Sequence, residues 1–220
     1  VVERPFRSPH HTATLIALTG GGAKAKPGEI SLAHNGVLFL DEMPEYNRNT
    51  IETLRQPMED GYISVARNAL TVQYPANFTL VASMNPCPCG YYGSEKHECK
   101  CTPANIHKYL SKISGPLLDR IDLHIEVDSV NYEDLTTAKL EEPSSEIKKR
   151  VDKARQIQLD RFKDSKIYSN SKMGEKEFKK YCALNKECTD LLEHAFTKLN
   201  LSARAYNRIL KVARTIADLD

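Results

Sequence analysis

A short apolar run ending in two carboxylates is the first pattern in this chain that could do chemistry: Gly36-Val37-Leu38-Phe39-Leu40-Asp41-Glu42. Four successive apolar residues suit a strand buried on both faces of a parallel sheet. Its carboxylates then lie at the C-terminal end of the strand, where open α/β sheets take their ligands. Phosphate chemistry there needs Mg²⁺ held by one acid and a water oriented by another. Asp41 suits the first role and Glu42 the second. The same residues also describe a buried strand followed by an ordinary acidic turn. A second apolar run, Phe78-Thr79-Leu80-Val81-Ala82-Ser83-Met84-Asn85-Pro86, ends in an amide. Beside Glu42, Asn85 would hydrogen-bond both an attacking water and a terminal phosphate; the competing reading is a turn residue ahead of Pro86.

The cysteines are the other concentration of reactive side chains. Cys87, Cys89, Cys99 and Cys101 form C-x-C, nine residues, then C-x-C. Four thiolates so close in sequence can close a tetrahedral Zn²⁺ site, structural because no position stays open. Free thiols or disulfides such as Cys87–Cys101 are the alternative, although bridging Cys87 to Cys89 would be strained. The spacing is tighter than the usual C-x-x-C knuckle, and a secreted disulfide framework spreads its staples more widely. His97 and His107 are weaker ligand candidates, and Cys182 and Cys188 read as packing residues. His10-His11 could touch a metal or a phosphate, though loop histidines usually do neither.

These residues need elements to hold them. Between the two apolar runs, Arg48 to Asp60 supply a helix with Ile51, Leu54 and Met58 on one face, completing a βαβ crossover. Ile63-Ser64-Val65-Ala66 and Leu70-Thr71-Val72-Gln73-Tyr74 alternate around Arg67-Asn68-Ala69 as a hairpin. The chain changes character near residue 130: 1–129 mixes β-rich runs with Gly and Pro, whereas 130–220 has only Gly174 and Pro143 and reads as helical. Ile147, Val151, Ala154, Gln158 and Phe162 share a helical face, with Ser144 or Ser145 as cap; Tyr206, Ile209, Leu210, Ala213, Ile216 and Ala217 form another apolar stripe, capped by Ser202. The expected fold is an α/β core followed by a small all-α domain.

Bulk properties exclude several classes. Basic and acidic residues number 31 and 29, so nucleic-acid contact must come from local patches rather than bulk charge. No 18-residue apolar run and no signal-peptide pattern occur, so the expectation is a soluble, cytoplasmic chain without a membrane partner. Val1 in place of Met suggests a cut from a longer protein.

Taken in order, the motifs resemble those of an AAA+ ATPase: Val37 to Glu42 a Walker B strand, Asn85 a sensor 1, Gly115-Pro116-Leu117-Leu118-Asp119-Arg120-Ile121-Asp122 an arginine-finger segment, and Leu201-Ser202-Ala203-Arg204 the start of a sensor 2 helix. Arg4-Pro5-Phe6-Arg7-Ser8-Pro9-His10-His11, Pro27-Gly28-Glu29-Ile30-Ser31-Leu32-Ala33-His34-Asn35-Gly36 and Asn85-Pro86-Cys87-Pro88-Cys89-Gly90 narrow the likeness to the magnesium-chelatase-like family of ComM/YifB type, over essentially the whole chain. The resemblance implies ATP and Mg²⁺ as cofactors and a ring, hexameric in the family. It implies that Arg120 reaches a neighbouring subunit's ATP and that Arg204 folds in from a helical lid to the γ-phosphate. An arginine suits the first task because its charge is permanent and its fork matches phosphate oxygens. Taken alone, Arg120 reads as a surface ion pair with Asp119 or Asp122, and Arg204, Arg208 and Lys211 as a solvated basic face. The stretch Pro9 to Asn35 and the hairpin before Asn85 sit where related motors carry pore insertions, which implies that Lys24, Lys26 and Arg67 meet DNA phosphates; ordinary solvated loop tips are the alternative.

The departure from the family is equally specific. No G-x-x-x-x-G-K-[ST] occurs, and Gly20-Gly21-Gly22-Ala23-Lys24 lacks the strand-to-helix frame and the following Ser or Thr. In the family the phosphate loop lies upstream, with a strand mid-sheet between those of 37–40 and 122–127. The expectation is therefore an incomplete AAA+ core that does not hydrolyse ATP by itself and whose sheet edges can self-pair. Two rivals to a DNA motor of helicase or branch-migration type stand beside it: a chelatase motor subunit serving metal insertion into a porphyrin, and a non-hydrolysing zinc and nucleic-acid binding module.

Overall fold

The computed structural model describes residues 3–67, 70–127 and 142–220, and the side chains of 67 and 70 lie outside that description. The chain divides into two compact units, Val1–Ser129 and Val130–Asp220.

In the first unit, three parallel strands form a sheet in the order β1 (Phe6–Arg7), β4 (Val37–Leu40), β7 (Thr79–Ala82). β4 is the middle strand: Val37 pairs with both Phe6 and Thr79, and Leu40 with Ala82. Leu38 and Leu40 are fully buried on one face of β4 and anchor the core, with Phe39 half-buried on the other. Gly36 allows the sheet to form. A Cβ there would lie 1.9 Å from the Pro5 carbonyl oxygen, where the Val37 amide makes its 2.9 Å bond.

A helix–hairpin–helix insertion joins β1 to β4: α1 (Leu15–Thr19), β2 (Gly20–Gly21) antiparallel to β3 (Lys26–Pro27), and α2 (Glu29–Leu32). Arg7 donates to both carboxylate oxygens of Glu29, at 2.6 and 2.7 Å, fixing the insertion to the sheet. After β4, the expected single helix is two: α3 (Arg48–Glu52) and α4 (Arg55–Asp60). Pro57 explains the break, because it has no amide to bond the Thr53 carbonyl and its ring crowds that group. Ile51 and Leu54 are nevertheless buried in the core, with Met58 packed against it.

The hairpin is β5 (Tyr62–Arg67) against β6 (Leu70–Pro75). Its register pairs Arg67 with Leu70, so the connection is 68–69 rather than 67–69. α5 (Pro103–Leu110), capped by the Thr102 hydroxyl, and α6 (Gly115–Leu118), capped by Ser114, close the unit. Residues 122–127 form no strand, contrary to expectation. A strand exists only with a hydrogen-bonded neighbour, and among the described residues β7 pairs with β4 alone. The alternating Leu123, Ile125 and Val127 are 64%, 80% and 87% exposed.

The second unit holds α7 (Ser144–Arg161), a 3₁₀ turn (Asn170–Lys172), α8 (Glu175–Tyr181), α9 (Lys186–Leu199) and α10 (Ala203–Leu219). Ser202 caps α10, its hydroxyl accepting from the Ala205 amide. Neither Ser144 nor Ser145 caps α7; Pro143 takes that position without a side-chain bond. Only the C-terminal half of the expected α7 face is buried: Ala154, Gln158 and Phe162 are inside, Ile147 and Val151 exposed. α10 buries Leu210 and Asp218, while Tyr206, Ile209 and Ile216 of the expected stripe face solvent. A polar cluster decides this orientation: Asp218 accepts from Arg161 at 2.6 Å and from Asn170 at 2.8 Å. Phe162 meets the edge of Tyr181 at 5.6 Å, and the Tyr181 hydroxyl donates to the Arg161 carbonyl.

Candidate functional site

Because β4 and β7 run parallel and in register, the chain leaves both strands at one edge of the sheet. Asp41 and Glu42 follow β4; Ser83 and Asn85 follow β7. The ladder continues past the strands, with Ser83 N–H on the Leu40 carbonyl at 3.0 Å and Met43 N–H on the Ser83 carbonyl at 2.9 Å. The Ser83 hydroxyl donates to Asp41 Oδ1. The Glu42 amide reaches the same oxygen and Ser83 Oγ, each at 3.1 Å. Glu42 itself has φ +50° and ψ +49°, the left-handed region that a non-glycine residue enters only when its surroundings impose it. The turn that follows buries Met43 and Pro44, so the backbone is pinned while both carboxylates remain exposed.

Three further residues belong to this corner. Ser83 was merely part of the second apolar run. His11 places Nδ1 3.7 Å from Glu42 Oε2, with the His10 ring 4.1 Å away. Tyr109, buried on α5, faces the backbone N–H of Asn85 as a donor to its hydroxyl. Burial pushes the Tyr109 hydroxyl up; the Asn85 amide pulls it down, and the charges of Glu45, Glu42 and Cys87 raise it further. Tyr46 is likewise raised, by burial first and then by Asp41. His11 and Tyr109 both lie far from the acids in sequence; His11 was a candidate phosphate or metal contact by type, whereas no local pattern advertised Tyr109.

The other expected site residues are held by other elements. Arg120 follows α6 with its side chain only 13% exposed. It donates to the Pro116 carbonyl at 2.7 Å and pairs with Glu59 on α4, not with Asp119 or Asp122. Four residues up the chain and one helix away replace the neighbours that sequence adjacency suggested. Arg120 also borders a cleft of about 740 Å³ lined by Thr19, Gly21, Glu52, Arg55 and Val65. Arg204 stands exposed in the first turn of α10, in the other unit. Lys24 and Lys26 are exposed around the β2–β3 hairpin. Arg67 ends β5, and its side chain lies outside the described residues.

The four clustered cysteines do come together. Their sulfurs all lie within 4.8 Å of one another, with Cys87 buried and the others half-buried. Cys87 Sγ is 3.3 Å from Cys89 Sγ and 3.7 Å from Cys99 Sγ, and Cys89 is 3.6 Å from Cys99. The Tyr91 amide, then Cys87, hold the Cys89 thiol down at about 6. For Cys99 the Cys101 amide pulls downward, but burial and the neighbouring thiols outweigh it and raise the group. Such a set can hold a soft or borderline metal ion. Cys182 and Cys188 lie in the second unit.

Residues 1–135 match the family model described as magnesium chelatase, subunit ChlI, and residues 141–220 match that described as its C-terminal part. The chain is 49% identical over 218 residues to the competence protein ComM of Haemophilus influenzae, covering 99% of this chain and 42% of the relative. It is 48% identical over 219 residues to the uncharacterised protein YifB of Escherichia coli, with the same two coverages. Magnesium-chelatase subunit ChlI of Mesostigma viride is 30% identical over 129 residues, 59% of this chain and 30% of that one. The chain thus spans less than half the length of these curated relatives.

Proposed function

This chain belongs to the magnesium chelatase ChlI family, and on that footing we propose that it is part of an AAA+ ring motor that hydrolyses ATP and acts on DNA. The observation that carries the proposal is the corner where Asp41, Glu42, Ser83 and Asn85 leave two paired parallel strands together. One oxygen of Asp41 is taken by the Ser83 hydroxyl and the Glu42 amide, which leaves Oδ2 for Mg²⁺. Glu42 orients a water, and Asn85 steadies that water and a terminal phosphate. His11 stands close enough to Glu42 to bias its orientation.

These residues fit the metal and water end of a nucleotide site. The phosphate grip has no counterpart, since G-x-x-x-x-G-K-[ST] is absent from the 220 residues. ATP, when bound, would supply the phosphoryl group and Mg²⁺ would neutralise its charge; the chain's part is to hold, orient and stabilise. Hydrolysis by these residues alone is therefore not expected. Arg120 acts on a neighbouring subunit's nucleotide, once released from Glu59, and Arg204 contributes from the helical unit. Lys24, Lys26 and Arg67 contact DNA phosphates from the two hairpins. The 49% identity to a competence protein supports a DNA client. ATP and Mg²⁺ are the cofactors of this reading; the thiols suit a softer ion and stand outside the phosphate chemistry.

The test uses a protein of the relatives' full length. Single-stranded DNA should stimulate ATP turnover. Arg120→Ala and Asp41→Asn should each abolish it, and mixing the two should restore part of the activity, because each supplies what the other lacks. No restoration would refute action between subunits. Turnover indifferent to DNA would shift the client towards a chelatase-type partner.

A further inference from the structure

We propose that Cys87, Cys89, Cys99 and Cys101 form a closed, tetrahedral structural centre for one zinc ion.

The sulfur geometry points to a shared centre. Three of the thiols stand in a near-equilateral triangle with sides of 3.3, 3.6 and 3.7 Å, and the fourth lies within 4.8 Å of them all. Four sulfurs around one zinc, at the usual Zn–S distance of about 2.3 Å, stand about 3.8 Å apart. Disulfides would pull the four into two separate pairs, each at about 2 Å. An iron–sulfur cluster would distribute its thiolates over several irons, for which this grouping is too tight. Backbone amides complete the site: those of Cys89 and Tyr92 point at the Cys87 sulfur, that of Tyr91 at Cys89 and that of Cys101 at Cys99. Amide donors of this kind orient thiolates and stabilise their charge once a metal is bound.

The surrounding fold supplies the reason for a metal. No helix or strand occurs between Ala82 and Pro103, and Cys87 is the only buried residue in that stretch. A segment this long without an apolar core of its own needs another fastener. The centre would tie Cys87, two residues beyond Asn85, to Cys101, whose neighbour Thr102 caps α5. The inference is independent of the nucleotide chemistry, because the four thiols stand at the loop's own core.

The experiment is metal analysis of the intact chain, purified under reducing conditions with a chelator wash. The expected content is about one zinc per chain, lost in Cys87→Ser and Cys99→Ser but kept in the double variant Cys182→Ser, Cys188→Ser. Because Cys87 is buried and its replacement could misfold the protein, the wild type carries a second test. Releasing zinc with a thiol-directed mercurial should speed tryptic cleavage after Lys96 and Lys100 by about tenfold or more, since metal and loop order are linked. Cobalt taken up in its place should give the ligand-field spectrum of a tetrahedral thiolate site. Wild-type protein grown with zinc yet containing none, or holding iron in its stead, would overturn the proposal. So would disulfides among these four thiols in the reduced preparation, or cleavage unchanged by metal release.

Discussion

Replacing Asp218 with alanine should loosen α10 far more than an ordinary substitution in a helix. The Asp218 side chain is 1% exposed and that of Arg161, 13%. Arg161 and Asn170 bond Asp218 at 2.6 and 2.8 Å, and Arg214 adds a longer contact at 3.2 Å. Removing one partner of a buried pair typically costs 3–5 kcal/mol, because the other charge is left unpaired. The low end, about 3 kcal/mol, applies here, since Arg161 keeps its 2.8 Å bond to Asn170 and Arg214 can turn to water. At about 1.4 kcal/mol per tenfold, the backbone amides of α10 should lose about a hundredfold in hydrogen-exchange protection near neutral pH.

The effect has a definite pH dependence. Burial raises the Asp218 carboxyl, but the bonds from Arg161 and Asn170 and the charges of Arg161 and Arg214 more than reverse this, leaving it below the usual carboxylate range. A group lowered by folding contributes fully above its unfolded value and loses that contribution as pH falls through the folded one. The gap between wild type and Asp218→Ala should therefore be full at neutral pH and close in acid. A change in protection below about threefold, or a gap that widens on acidification, would refute the reasoning.

Three further outcomes are expected. Gly36→Ala should destabilise the first unit by about 3 kcal/mol, read as a fall in its thermal midpoint, because the added methyl meets the Pro5 carbonyl at 1.9 Å; a tolerated alanine would mean that β1 is not held against β4 as described. Ser83→Ala, in a full-length protein, should raise the Mg²⁺ concentration needed for turnover by about tenfold, the usual cost of losing a group that orients a metal ligand; an unchanged Mg²⁺ profile would remove Ser83 from the site. Glu59→Gln should preserve turnover while Arg120→Ala loses about a hundredfold or more; equal losses would mean that Arg120 serves only its own subunit through Glu59.

The residues whose structure depends on neighbours in sequence were the most legible. The burial of Leu38 and Leu40, the exit of the chain from two parallel strands at one sheet edge, the Ser202 cap and the gathering of four cysteines all follow from period, spacing and short-range chemistry. The two strands had to be parallel because a helical crossover separates them, and that alone brings their ends to one edge. Contacts made across the fold were not legible. Ser83 bonds Asp41 from 42 positions away and Glu59 reaches Arg120 across 61, with nothing local to signal either. The break at Pro57 was open to inference from its type but was outweighed by the apolar spacing on both sides. In α10 only Leu210 of the apolar stripe is buried, because the Asp218 cluster fixes the helix by hydrogen bonds rather than by apolar area.

The central claim is that Glu42 and its neighbours at the strand ends belong to an ATP-hydrolysing site. Its most direct test is single-turnover ATP hydrolysis by the full-length protein, wild type against Glu42→Gln, with nucleotide binding measured alongside. Glu42→Gln keeps the shape of the corner but loses the carboxylate that orients water. The account predicts nucleotide bound as in the wild type and hydrolysis reduced about a hundredfold or more. Hydrolysis at the wild-type rate with binding intact would contradict it.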